Sequence, residues 1–158
     1  MLEDNLPTDH NLTRAHNLLA TGWSLAAVKK ERAWLRQGRG IRPLYNLITE
    51  LGSVLQGAAL ADAVVGKAAA LLSLKAGLGA VWAGLISTPA LELLQAARVE
   101  VRYNDQVPHI LNHRKDNLCP MEMLVQNVSD PAEAYRLIGA KLVSMVPSPS
   151  QEKEAGRE

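Results

Sequence analysis

Cys119 is the only cysteine in the chain, in the stretch DNLCPMEMLVQN, immediately before Pro120 and three residues ahead of Glu122. A thiol beside a base is a nucleophile, and His109 and His113 lie upstream of it while Glu122 lies downstream. Two histidines and a cysteine can also hold zinc, although neither spacing here is a recognised signature. A third reading is structural. With Cys119 as N-cap, Pro120 takes the first helical position, where its missing N–H costs nothing. Glu122 can then reach back to the cap's backbone N–H, and Leu118 and Met123 form a hydrophobic staple. Asp130-Pro131-Ala132-Glu133 repeats the same grammar. Cysteine caps poorly beside Asp or Ser, whereas a helix N-terminus stabilises a thiolate. Cys119 is therefore the candidate nucleophile, with Glu122 as cap or proton acceptor. An inert, half-buried thiol is the alternative.

A second constellation is Asp62, Gly66 and Lys67 in ADAVVGKAAA. It superficially resembles a phosphate-binding loop but fails the test: position 61 is Ala, and no Ser or Thr follows Lys67. Asp62 as a helix cap and Lys67 as a surface charge is the plain reading. The functional one is an anion or polar-ligand site at a helix N-terminus beside a sheet. Ser87 starts the next helix, at STPAL. Arg39, between Gly38 and Gly40, can reach a phosphate or carboxylate. The third candidate is the basic cluster of residues 29–42, with Lys29, Lys30, Arg32, Arg36, Arg39 and Arg42 opposed only by Glu31. With Trp23 and Trp34 nearby it is a nucleic-acid surface in outline, although both tryptophans sit at core-like positions.

These residues need a scaffold. Leu12 to Ala20 reads as a short helix, and WSLAAVKK with AWLRQ as a hairpin. GRGIRPLYNLITELG follows as a helix with Pro43 in its first turn and Gly52 at its end. ADAVVGKAAALLSLKAG reads as a helix from Asp62 to Gly77, and GAVWAGLIS as a central strand. STPALELLQAA is a helix capped by Ser87 or Thr88. VEVRY is a strand, Asn104-Asp105 a turn and VPHIL an edge strand. Two helices finish the fold, at CPME and at DPAEAYRLIGAKLVSM. This order predicts an α/β fold: a three-layer α/β/α sandwich on a mixed sheet of about five strands, one domain over residues 1–146. Residues 147–158 have the composition of a disordered tail.

Composition agrees. Apolar residues make up 47% and aromatics 4%, with no Phe, so the core must be Ala, Leu, Val and Ile, with Trp23, Trp34 and Trp82 as its bulky pieces. A formal net charge of +1 selects no partner. A single cysteine excludes an intrachain disulfide, and with no signal-like start it points to the cytoplasm. The window Ala68–Ile86 has membrane-spanning length, but Lys75 and Gly77-Leu78-Gly79 divide it into a buried helix and a strand.

GRGIRPL, ADAVVGKAAALL, LISTPALELL and LCPMEMLV occur in an order that resembles a small prokaryotic family of uncharacterised proteins, domain of unknown function family 1893, over roughly Leu12 to Met145. One departure is NHRKDN before Cys119, richer in charge than the family pattern, which leaves His113 without a role. The resemblance implies a cytidine deaminase-like fold. Zinc deaminases place His-x-Glu and Pro-Cys-x-x-Cys at successive helix starts; the corresponding starts here, ADAVV and STPAL, offer neither. No metal and no cofactor is therefore expected. The reading that follows is a ligand-binding domain for a small polar or nucleotide-like molecule. Arg39, Asp62, Gly66, Lys67 and Ser87 would bind it, and Cys119 with Glu122 would supply any thiol chemistry. Two other classes stay open: a non-enzymatic scaffold or homodimerisation module, and a nucleic-acid-binding module working through the basic hairpin.

Overall fold

Two short runs of apolar residues around Lys30-Glu31 form the antiparallel hairpin β1 (Leu25–Lys29) and β2 (Arg32–Arg36). In the computed structural model, which describes residues 2–145 and side chains from His10 onward, this hairpin is one flank of a five-stranded mixed sheet. The expected tail at 147–158 lies outside the described residues. The strand order is β2-β1-β3-β4-β5, with β3 (Ala59–Val65), β4 (Ala80–Ser87) and β5 (Glu100–Val107) mutually parallel and β1 antiparallel to β3.

Helices cover both faces. α1 (Leu2–Leu19) lies on one and meets β1, β3 and β4. Leu12 and Ala15 are buried there over Val28, Ala59, Ala61 and Ala80, and His16 stacks on Trp82 at 3.9 Å. The other face carries α2 (Arg42–Leu51), α3 (Lys67–Ala76), α4 (Thr88–Ala96), α5 (Pro120–Leu124) and α6 (Pro131–Ser144). Leu, Ala, Val and Ile fill the large core on that side. Alanine at 68, 69 and 70 lets α3 settle between α2, α4 and α6. The three tryptophans are not core pieces as expected. Trp23 is 39% exposed, while Trp34 and Trp82 are only partly buried against their clusters.

Four expectations about the elements need correction. The first helix begins at Leu2, ten residues ahead of the expected start. Residues 59–65 form a strand, so Asp62 caps no helix. Small apolar residues paired on both sides show no alternation, and pairing with β1 and β4 overrides the cap-like signal of Asp62. β5 continues past Asn104-Asp105 without a turn, because parallel pairing with β4 resumes at Leu85↔Asp105 directly after the unpaired row of Gly84 and Asn104. VPHIL forms no strand of its own: Val107 ends β5, and beyond it the segment contributes only the bridge Leu111–Leu118. The other signals stand: Pro43 starts α2, Gly77 in the left-handed region ends α3, and Ser87 and Asp130 cap α4 and α6 with their side chains.

The sheet is tight at its centre. A Cβ on Gly84 would stand 2.7 Å from the backbone oxygen of Ala63 on the neighbouring strand. Gly84→Ala is expected to cost about 1–3 kcal/mol, since backbone rather than a flexible side chain must yield. A urea denaturation midpoint equal to that of the unsubstituted protein would contradict this packing.

Candidate functional site

Antiparallel pairing sets Leu25 beside Asp62 and Arg36 beside Leu25. The start of β1, the end of β2 and the carboxyl ends of β3 and β4 therefore share one edge of the sheet. The residues expected to form the ligand site gather on that edge, whereas Lys29, Lys30 and Arg32 of the basic cluster lie at the hairpin turn at the other end. Arg39 stands exposed on the loop that leaves β2, and Asp62 lies near the end of β3. Gly66 and Lys67 open α3, Ser87 opens α4, and α5 brings Cys119 and Glu122 onto α3. In open α/β sheets ligands bind at this carboxyl edge.

The N-terminus of α3, the expected anion site, is already filled from within. Both carboxylate oxygens of Glu122 accept from its backbone: Lys67 N–H at 2.7 Å and Ala68 N–H at 2.9 Å. Glu122 thus caps α3, not its own helix as expected, and it answers the first unpaired amides and the positive end of the dipole together. Gly66 is the N-cap of α3 and has no side chain to do this work. It cannot have one, because a Cβ would collide with the Glu122 carboxylate. Lys67 closes the joint by donating from Nζ to the backbone oxygen of Gln126 at 2.9 Å. Gly66 and Lys67 therefore hold α5 in place.

Cys119 is the N-cap of α5 by position, but its side chain makes no capping hydrogen bond. Its backbone N–H donates to the oxygen of Ile110, and the thiol packs half-buried against the core. Ser87 is buried and accepts from the N–H of Ala90 at 3.3 Å, a helix cap. Among the described residues no three His, Cys, Asp or Glu side chains converge as a metal site.

Asp62 has a different character. The sheet row that contains it reads Arg36, Leu25, Asp62, Ala83 and Tyr103. Its immediate neighbours are thus apolar, and Arg36 is engaged at 2.9 Å by Glu50. Desolvation pushes the Asp62 carboxyl up to about 7, against a smaller downward pull from the backbone amides of Val64 and Ala63. The carboxyl therefore exists in both protonation states near neutrality and can donate as well as accept.

The basic cluster is largely dispersed into internal contacts. Lys29 donates to the oxygen of Val54, Arg36 pairs with Glu50, Arg32 lies 4.9 Å over Trp34, and Arg42 donates to the oxygen of Leu142. At the opposite edge of the sheet lies a feature that sequence reasoning missed. This depression of about 490 Å³ is bordered by Thr49, Ser53, Gln56, Lys75, Gly77 and Tyr135. Thr49 and Tyr135 share a hydrogen bond at 2.6 Å, and Lys75 lies 5.4 Å over the Tyr135 ring. These residues come from four separate elements, so no local pattern marks them. Among the described residues no helix is long and apolar enough to cross a membrane.

Over residues 14–142 the chain matches the model of a family described as a domain of unknown function (DUF1893), TM1506. It is also similar to a solved structure, a DUF1893 family protein (TM1506) from Thermotoga maritima at 2.70 Å resolution. The two are 30% identical with a TM-score of 0.74, over 83% of this chain and 90% of that chain. No curated protein matches the sequence.

Two tests follow from the geometry. Glu122→Ala should cost about 2–3 kcal/mol, the value of charge-assisted bonds to backbone amides. Gly66→Ala should cost less in that background than in the unsubstituted chain, with a coupling of about 1–2 kcal/mol; additive losses would refute the contact. Asp62, raised in the fold from 3.8 to about 7, binds its proton more tightly there than in the unfolded chain. The resulting stability is fully present below about pH 4 and is lost as pH rises through 7. Asp62→Asn should remove that slope and gain on the order of 3 kcal/mol relative to the unsubstituted chain at pH 8. Parallel stability profiles for the two chains between pH 4 and 8 would disprove it.

Proposed function

The chain belongs to the DUF1893 family, and we propose that it serves as a binding domain for a small polar ligand, held at the carboxyl edge of β3 and β4. One observation carries this reading. Asp62 sets a carboxyl group between Leu25 and Ala83, in an apolar row where a hydrocarbon side chain would serve the fold better. Perturbed carboxyls in such places are found at functional sites more than elsewhere. Near neutral pH this one can read both donors and acceptors, as the edge of a nucleobase or an amide presents them. Arg39, exposed on its Gly-Arg-Gly loop, supplies positive charge for an anionic group on the same ligand.

Gly66, Lys67, Ser87 and Glu122 enter this reading as supports that hold α3, α4 and α5 around the edge. The thiol of Cys119 packs against the core, and both oxygens of Glu122 are committed to α3. These contacts favour binding over thiol chemistry. A cytidine deaminase-like arrangement, which the family resemblance implies for this order of hairpin and parallel strands, would favour a nucleotide-like ligand.

Thermal denaturation against a panel of nucleosides, nucleotides and polar amides tests the proposal. At about a hundredfold excess over Kd, a true ligand should raise Tm by roughly 5 °C. The shift should vanish in Asp62→Asn, shrink in Arg39→Ala and persist in Lys75→Ala at the opposite edge. A shift that survives Asp62→Asn and is lost in Lys75→Ala would move the site to the depression beside Tyr135.

A further inference from the structure

The sheet ends in two edges, and their charges differ in a way that bears on association. β2 is one edge, with arginine at both ends, Arg32 and Arg36. Two copies of β2 laid antiparallel about its centre would set Arg32 against the partner's Arg36, and like charges directly opposite repel. β5 is the other edge, eight residues long, and no strand pairs with its outer side among the described residues. Its middle, Arg102 to Gln106, is exposed.

The faces of β5 can be read from its contacts. Val101 packs on the large core, and the hydroxyl of Tyr103 lies 3.4 Å from Gln106, whose amide donates to Thr88 at the start of α4. Val101, Tyr103 and Gln106 therefore share the helix-rich face. Strict alternation would not put residues 103 and 106 on one face, so the alternation breaks between them. The neighbouring strand agrees: Val81, Ala83 and Ile86 of β4 all pack in the large core, so its alternation also breaks, across the row of Gly84 and Asn104 where the pairing is interrupted. The break turns Arg102 and Asp105 onto one face, the one that α1 occupies further along the sheet.

We propose that this edge is a self-complementary interface: two copies of the chain pair β5 with β5 antiparallel, about a twofold axis between Tyr103 and Asn104. In that register Arg102 faces the partner's Asp105, and the symmetry repeats the pair. Val101 then faces the partner's Gln106, and Glu100 the partner's Val107. The two five-stranded sheets become one of ten strands. Within one chain Arg102 already meets Glu100 at 3.1 Å, with both side chains exposed. It lies on the surface where the partner's carboxylate arrives.

The experiment is sedimentation of the full chain across a concentration series, with circular dichroism as a check on folding. The unsubstituted protein should dimerise. Arg102→Asp and Asp105→Arg should each raise the dimer Kd by roughly tenfold or more, because each sets like charges opposite one another twice. Mixing these two variants should restore association as a heterodimer, since every Asp then faces an Arg. Should either single variant fail to fold, the double exchange R102D/D105R in one chain tests the same pairing and should dimerise like the unsubstituted protein. A monomer at all concentrations overturns the proposal. So does a dimer indifferent to both single exchanges, or a mixture no tighter than its components.

Discussion

The carboxylate of Glu122 bridging the amides of Lys67 and Ala68 is the contact on which the rest of the helix-rich layer is hung. α3 is the hub of that layer and meets α2, α4 and α6 as well as the sheet. A hub helix whose first amides pointed into a half-buried joint without an acceptor would be costly. Its own N-cap is a glycine, so the acceptor has to come from elsewhere. Much of the local sequence around the joint follows from that one demand. Position 66 must lack a Cβ, Pro120 begins a short helix that presents the glutamate, and Lys67 ties the far end of that helix down.

Local signals carried much of the architecture. Pro43, Ser87 with Pro89, and Asp130 with Pro131 each mark a helix start through covalent geometry or a side chain a few residues away, and each start is where its signal put it. The hairpin was legible for the same reason. β3 was not. Its residues, ALADAVV, are small and paired on both sides, and Asp62 imitates a cap. Only pairing with β1 and β4 decides that the segment is extended, and those partners lie elsewhere in the chain. Asn104-Asp105 misled in the opposite direction, since a sound turn signal lost to the ladder.

The site was half legible on the same terms. The residues chosen as chemically unusual do converge on one edge of the sheet. Their roles did not follow from type and spacing. Glu122 was read within its own helix, because a capping box is a local pattern and a cap supplied across space has no local signature. Asp62 was chosen as a cap and proves notable for a different reason, a carboxyl group in an apolar row. In both cases residue type drew attention to the group, while its tertiary surroundings, which no local pattern encodes, differ from what the sequence implied.

The bond that caps α3 spans 55 residues of chain. During vectorial synthesis α3 and its strands leave the ribosome well before Glu122 exists, and chains grow at roughly 5–20 residues per second. For some seconds the hub helix must persist with its first amides open to water, held only by partners already made. Its alanine-rich opening turn, with high intrinsic helicity, suits that interval. The segment that carries α5 therefore acts as a latch: the helix-rich layer reaches its final order only once Glu122 has been made and has docked on α3.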